Sequence, residues 1–374
     1  MACNARAACE RGSKAPISPN TQMVSTDIRQ TGIGLDHWLP VGRSNSFRRR
    51  TLNKISIAGE DIVIARTESG NLFALEDRCS HRQIPLSQGR VAGEAIRCCY
   101  HGWEFDLMGH CRVPPNQADY YSPLHVRRYP LKELHGLVFL FFGDARLAQT
   151  VPLPCFDEAE SRNYITIRIV EQIDCHFTFV HENLMDMTHH SSLHSKWMGA
   201  FRPAVIGSRS GEDFVEVEYS AQFSGGNLLF RSLYGFMFGL KREAVDARDQ
   251  KQNDIISVGT HYPYQYLIIR RSLDNCFHLK LWLTCVPVDA QQRSCKPIGL
   301  LIVRKPRIRL LVHLIKPLYH LYARIIFGED RMIMEQEQLA YERGGQDHTV
   351  ERRPYLVELR ELLIRKGVRL GDQA

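Results

Sequence analysis

The 374-residue chain is 44% apolar and 24% charged, the usage of a globular protein with room for two domains, which excludes disordered and fibrous classes. Its 48 basic and 41 acidic residues leave a net charge of +7, without the Lys/Arg blocks of a nucleic-acid binder. No segment offers the roughly 18 uncharged apolar residues of a bilayer span; the best, "PIGLLIV" at 297–303, is far too short.

Residues 1–35 are poor in large apolar side chains, lack the continuous apolar stretch of a secretory signal and read as a flexible arm. Eleven cysteines in so large a chain, two of them in metal-ligand spacing, then point to mostly free thiols in a reducing cytosol. From Asp36 to Asp144 the pattern is short β-like runs divided by turn residues: "ISIAG", "DIVIART", "NLFALED", "AIRCCYHGWEFD" and "GLVFLFFGD". An all-β domain over 36–144 is predicted, with turns at Gly70-Asn71 and at Gly109.

Within that domain "CSHRQIPLSQGRVAGEAIRCCYHGW", residues 79–103, presents Cys79 and His81 and then, after sixteen intervening residues, Cys98 and His101. Each loop offers one thiolate and one imidazole. That symmetry suits a two-iron cluster with both thiolates on one iron and both imidazoles on the other, a ligation that raises the reduction potential. The same four residue types also hold structural zinc, although zinc fingers usually place both cysteines before both histidines. The flanking "RCSHR" and "YHGWEFD" resemble the cluster loops of the Rieske family, in its oxygenase branch. Cys99 stands where that family usually has proline, and the spacing to His101 favours Cys98 as the ligand. The first loop also lacks the second cysteine that respiratory Rieske proteins use for a disulfide.

After Asp144 the texture changes, and a second domain over 145–374 is predicted. Strands are expected at "YITIRIVEQID", "DFVEVEYSAQFS", "DIISVGTHYP", "YLIIRRSL" and "FHLKLWLTCVPV", with helices over 176–190, 306–343 and 354–367. In "ENLMDMTHHSSLH", residues 182–194, Asp186, His189 and His194 follow the spacing Asp-x2-His-x4-His. Residues five apart on a regular helix differ by about 140°, so His189 and His194 converge only where the helix widens or breaks. A distorted helix is predicted there.

This second motif resembles the catalytic-iron motif of Rieske non-haem iron oxygenases. By that resemblance His189, His194 and one carboxylate hold a mononuclear Fe(II) and leave positions open for O2 as co-substrate. Asp186 would not be a ligand. It would bridge His189 to His101 of the partner subunit and orient both imidazoles. The carboxylate ligand is expected to be Asp330 in "FGEDRMIMEQEQ", with Glu329 and then Glu335 as alternatives; such acids also suit a helix N-terminus. Asn183, three residues before Asp186, gives the short Asn-x2-Asp form that resembles vanillate demethylase, dicamba monooxygenase and pheophorbide a oxygenase. It points to a monooxygenase or demethylase rather than a dihydroxylating dioxygenase.

"RKPRIRLLVHLIKPLYHLYARIIF", residues 304–327, mixes six Lys/Arg with a broad apolar surface and contains Pro317, which should kink a helix. It reads as a core helix with a basic rim, or as a surface for peripheral membrane contact or an acidic ferredoxin.

The resemblance covers about 36–370 and implies an α+β chain: an N-terminal antiparallel β Rieske domain, then a catalytic domain with a curved antiparallel sheet covered by helices. It implies a 2Fe–2S cluster, a head-to-tail homotrimer, and electrons from a separate ferredoxin or NAD(P)H-dependent reductase, since no flavin or nicotinamide fingerprint is present. The product would be a hydroxylated or demethylated organic molecule. Two rival classes are a Rieske electron carrier without oxygenase activity and a zinc-stabilised interaction module. Pocket walls come from scattered strand residues, so the substrate has no local signature.

Overall fold

β-Branched and aromatic runs between turn residues become the strands of the N-terminal third. They are β1 (Thr31–Gly32), β2 (Trp38–Arg43), β3 (Thr51–Ile57), β4 (Glu60–Arg66), β5 (Leu72–Glu76) and β6 (Arg90–Ala92). β7 (Ala95–Arg97), β8 (Glu104–Asp106), β9 (Cys111–Arg112), β10 (Arg128–Tyr129), β11 (Leu131–Leu134) and β12 (Leu137–Phe141) follow. This computed structural model describes residues 27–112, 124–198, 200–224, 254–271, 277–305 and 312–370. The antiparallel sheets run β10-β5-β4-β3, β11-β12-β2 and β6-β7-β8-β9. Gly70 and Gly109 both have positive φ, +105° and +83°, and sit at the two turns expected from the sequence.

The C-terminal sheet has seven strands, ordered β13-β19-β18-β17-β16-β15-β14. They are β13 (Tyr164–Val170), β14 (Ala200–Ser210), β15 (Phe214–Ser224), β16 (Asp254–His261), β17 (Tyr264–Arg271), β18 (Phe277–Pro287) and β19 (Cys295–Arg304). Two of these were not expected. β19 contains "PIGLLIV", which has no polar alternation because both of its faces are covered. Its Leu301 and Val303 join the core under the helices, while Ile298, Leu300 and Ile302 join a second core with Trp38, Phe139 and Phe141 of the N-terminal sheets. β14, "AFRPAVIGSRS", carries Pro203 and Gly207, both poor strand formers, and is held as an edge strand by β15 alone.

The helices are α1 (Asp157–Glu160), α2 (Phe177–Met185), α3 (Ser195–Met198), α4 (Val312–Gly344) and α5 (Pro354–Lys366). α4 runs on through Pro317. Of the basic apolar segment, residues 306–311 lie outside the described residues, and among those described no helix is long and apolar enough to cross a membrane.

The flexible arm expected over 1–35 is corrected in its last part. Ile28 and Ile33 are fully buried, and β1 pairs with β20 (Val368–Arg369) at the other end of the chain. The reason is a buried charge that local sequence does not reveal. The Arg29 guanidinium is 2.5 Å from Glu182 of α2, donates to Thr178 and lies 3.5 Å over the Phe179 ring.

The segment 287–292 ties the two halves together. Ala58 and Gly59, the turn between β3 and β4, donate their backbone N–H groups to the carbonyls of Pro287 and Val288 at 3.0 and 2.9 Å. The buried Gln292 side chain accepts from the Ile33 N–H at 2.8 Å. Gly59 has φ +84°, and a Cβ there would stand 2.9 Å from the Ala290 backbone nitrogen, so only glycine fits.

Removing one partner of a buried ion pair leaves the other charge stranded. Arg29→Ala should therefore cost on the order of 3 kcal/mol of stability. Thermal or urea unfolding within about 0.5 kcal/mol of wild type would show that the arm is dispensable.

Candidate metal centres

The first candidate centre lies between two loops of the N-terminal domain. Asp77, just after β5, receives the Ser87 N–H and hydroxyl, both at 2.6 Å, and so closes the first loop. Inside it the Cys79 N–H donates to the Ile84 carbonyl at 2.9 Å and Gln83 N–H donates to the Cys79 carbonyl at 2.8 Å. The second loop closes through the Cys98 N–H, which donates to the Trp103 carbonyl at 2.8 Å, with Gly102 at φ +74°.

The loops bring the four expected residues together. Cys79 and Cys98 are 2% and 4% exposed, whereas His81 and His101 lie nearer the surface with ring centroids 4.6 Å apart. His81 stacks flat on Trp103 at 4.3 Å, and Tyr100 packs on His101 at 3.8 Å. Burial pushes the Cys79 thiol up, against the pull of the His81 and Arg82 backbone N–H groups. Desolvation and the neighbouring His101 keep the His81 imidazole below its ordinary value. Cys99 is exposed, so the adjacent cysteines differ in burial. A third thiol, Cys111 of β9, is pushed up to about 11, first by burial and then by Cys79; its lone position in the sequence gave no signal.

The second candidate centre begins where α2 stops. The Tyr219 hydroxyl of β15 donates to the Met185 carbonyl at 2.6 Å, satisfying an end carbonyl of the helix. Asp186 then leaves helical geometry and caps a 3-10 turn over Met187–Ser191, accepting from the Thr188 N–H at 3.0 Å and hydroxyl at 2.6 Å. This break is the distortion expected from the spacing. It turns His189 and His194 toward each other, with ring centroids 5.2 Å apart.

Asp330 of α4 faces both rings. His194 Nε2 lies 3.0 Å from Asp330 Oδ1, and His189 Nε2 lies 3.4 Å from the same oxygen, an ion-pair distance without hydrogen-bond geometry. His189 Nε2 is thus a buried nitrogen without a hydrogen bond, aimed at a carboxylate. That donor set fits a metal ion. Burial alone would raise the Asp330 carboxyl, yet contact with His189 and His194 holds it well below the usual range. Burial opposes charge on His194, but hydrogen bonds to Asp330 and Glu329 outweigh it and its pKa rises.

His190, which the spacing did not single out, joins them: the donor atoms of His189, His190 and His194 lie within 4.8 Å of one another. Burial pushes the His190 pKa down to about 3, leaving a neutral imidazole. Glu329 is 2.8 Å from His194 Nδ1, on the far side of that ring. Glu335 instead pairs with Arg331 at 2.7 Å.

Asn183 and Asp330 line a cavity of about 230 Å³ whose other walls are mainly apolar, including Ile169, Ile173, Leu184, Leu283, Phe327 and Met334. Asp186 points elsewhere. Besides Thr188 it is paired with Arg353, just before α5, and among the described residues of the single chain no hydrogen bond joins it to His189.

Comparison with known proteins gives two family matches. The Rieske [2Fe-2S] domain matches residues 37–130, and the vanillate O-demethylase oxygenase C-terminal domain matches residues 173–359. The 4beta-methylsterol monooxygenase of Methylococcus capsulatus is 29% identical over 354 residues, covering 91% of this chain and 90% of its own. The vanillate O-demethylase oxygenase subunit of a Pseudomonas species is 34% identical over 143 residues, 38% of this chain and 43% of its own. The crystal structure of dicamba monooxygenase bound to 3,6-dichlorosalicylic acid shares the fold, with a TM-score of 0.69 at 18% identity over 89% of this chain and 98% of that one.

The burial contrast between the adjacent thiols can be read chemically. In the native protein a small alkylating reagent should modify Cys99 and leave Cys98 protected, as followed by peptide mass spectrometry. Equal labelling of the two would contradict the loop geometry.

Proposed function

This chain belongs to the Rieske non-haem iron oxygenases of the vanillate O-demethylase type, and we propose that it is a monooxygenase or demethylase working through the two centres described above. In this reading Cys79 and Cys98 hold the inner iron of the 2Fe–2S cluster, and His81 and His101 hold the outer one. His189, His194 and Asp330 hold a mononuclear Fe(II). The observation that carries the second assignment is the sharing of one Asp330 oxygen by a buried imidazole, His194, and a partly buried one, His189, beside a largely apolar cavity.

Two neutral imidazoles and one carboxylate leave Fe(II) positions free for O2, whose activation is the chemistry the metal supplies when bound. The chain's own residues do the rest. Asp330 brings the single negative charge and stays ionised, because His189 and His194 hold its carboxyl below the usual range. Asn183 faces the cavity in which the substrate would lie, and aliphatic side chains form most of its wall, with Glu171, Arg324 and Arg331 also lining it. The aliphatic character of that wall suits an apolar organic molecule, and the names of two relatives, a methylsterol monooxygenase and an O-demethylase, suggest a methyl or methoxy carbon as the target.

Electrons would arrive from a separate ferredoxin or reductase. The proposed assembly is a head-to-tail homotrimer in which Asp186 links the two centres across a subunit boundary. His81 and His101, at the tip of the cluster loops, would then face the next copy. The six Lys/Arg of 304–327 are the surface assigned to an acidic donor or to peripheral membrane contact.

Two sets of variants test this reading. Cys98→Ser should lose the visible absorption of the cluster and Cys99→Ser should keep it; the opposite result would reverse the frame. Wild-type protein should hold about three irons per chain, two in the cluster and one mononuclear. Asp330→Ala should fall to about two, keep the cluster spectrum and lose product formation that depends on O2 and reductant. Unchanged iron with normal turnover would remove Asp330 from the site.

A further inference from the structure

We propose that Glu329 is the positioning residue for the second imidazole of the mononuclear site: its carboxylate fixes the tautomer and orientation of His194 and presents Nε2 to the metal. The inference rests on the assignment of His189, His194 and Asp330 and goes beyond it.

The His194 side chain is wholly buried, and its two nitrogens each meet a carboxylate. Nδ1 is 2.8 Å from Glu329 Oε2, and Nε2 is 3.0 Å from Asp330 Oδ1. The two acids are neighbours on α4. Successive helical residues diverge by about 100°, so one reaches the near side of the ring and the other the far side.

An ionised carboxylate accepts hydrogen bonds and donates none. Both nitrogens of His194 face carboxylates, so each carries a hydrogen in the metal-free ring; Glu329 keeps the one on Nδ1, and the atom left for a metal is Nε2. That is the atom directed at the oxygen shared with His189.

The site needs such a device because it holds more imidazoles than a two-histidine site uses. His190 lies with its ring centroid 4.8 Å from that of His194 and 4.4 Å from that of His189. Spacing alone does not discriminate between His190 and His194, since all three histidines present donor atoms within 4.8 Å. The Glu329 contact does discriminate. It holds the His194 ring with Nε2 toward Asp330, the role that outer carboxylates play toward metal-bound histidines.

The test uses the full-length protein with its cluster intact and loaded with Fe(II). Mononuclear iron affinity is read from competition with a ferrous chelator, the ligand field from the electron paramagnetic resonance of the ferrous nitrosyl adduct, and folding from the visible spectrum of the cluster. Glu329→Ala should keep the cluster spectrum, bind the mononuclear iron about 10- to 100-fold more weakly and show an altered nitrosyl signal. Glu329→Gln, whose amide oxygen still accepts from Nδ1–H, should restore the wild-type nitrosyl signal and most of the affinity. An alanine variant with wild-type affinity and signal would overturn the positioning role. A glutamine variant that loses iron as fully as Asp330→Ala would overturn it too, by making Glu329 a ligand. Asp330→Ala run alongside separates the two levels. If it also keeps its iron, the site itself is misassigned; if it alone loses iron, only the role of Glu329 falls.

Discussion

The second centre depends on α2 ending where it does. A helix that continued past Met185 would carry His189 and His194 to different faces. Asp186 prevents this by capping the next turn, held by Arg353 from the segment before α5 and by Thr188 of the turn itself, while Tyr219 of β15 takes up the Met185 carbonyl. The start of α2 is fixed as firmly, since the His176 N–H donates to Gln338 of α4 at 3.0 Å. Gln338 and Asp330 lie two turns apart on α4, so one helix grips α2 at its beginning and meets the histidines beyond its end. The placement of Asp330 against the two histidines thus combines helix-on-helix packing with the turn that Asp186 caps.

Much of this was legible in the sequence, and the limits have physical causes. Residue types and gaps singled out both motifs because each is local: Cys79 and His81, or His189 and His194, are near in sequence as well as in space. The five C-terminal strands with β-branched or aromatic alternation were found. β19 was missed because a strand covered on both faces loses that alternation, and β14 because Pro203 and Gly207 obscure it. The burial of residues 28–33 was missed for a different reason. Its determinants, Glu182 and Thr178, stand about 150 residues away, and a short polar-looking segment gives no hint of them. His190 and Glu329 belong to the same class: each was visible as a residue, and only the fold shows that both stand against His194.

The covering of β18 and β19 on both faces also explains why the two halves are described best as one body. Trp282 sends its ring toward the N-terminal sheets while Leu281 and Leu283, its neighbours in β18, face the helices. The strands that carry the cavity wall on one side therefore support the cluster domain on the other. A change in packing at Trp282 is felt on both sides through a single strand, because well-packed interiors transmit strain.

The segment 287–292 adds a consequence for how such chains diversify. It receives the N-terminal turn through main-chain carbonyls of Pro287 and Val288, and the arm through one buried amide, Gln292. Main-chain bonds are indifferent to side-chain identity, so the hairpin beside Gly59 can vary widely without losing its seat, provided the glycine stays. Gln292 has no such latitude. Recombination between relatives could exchange the whole cluster-bearing half at residue 144 and keep the carbonyl bonds, but a parent with a shorter residue at 292 would leave the Ile33 N–H buried without a partner. The heritable unit is then the hairpin, the arm and this segment together, a compatibility requirement that links positions more than 200 residues apart.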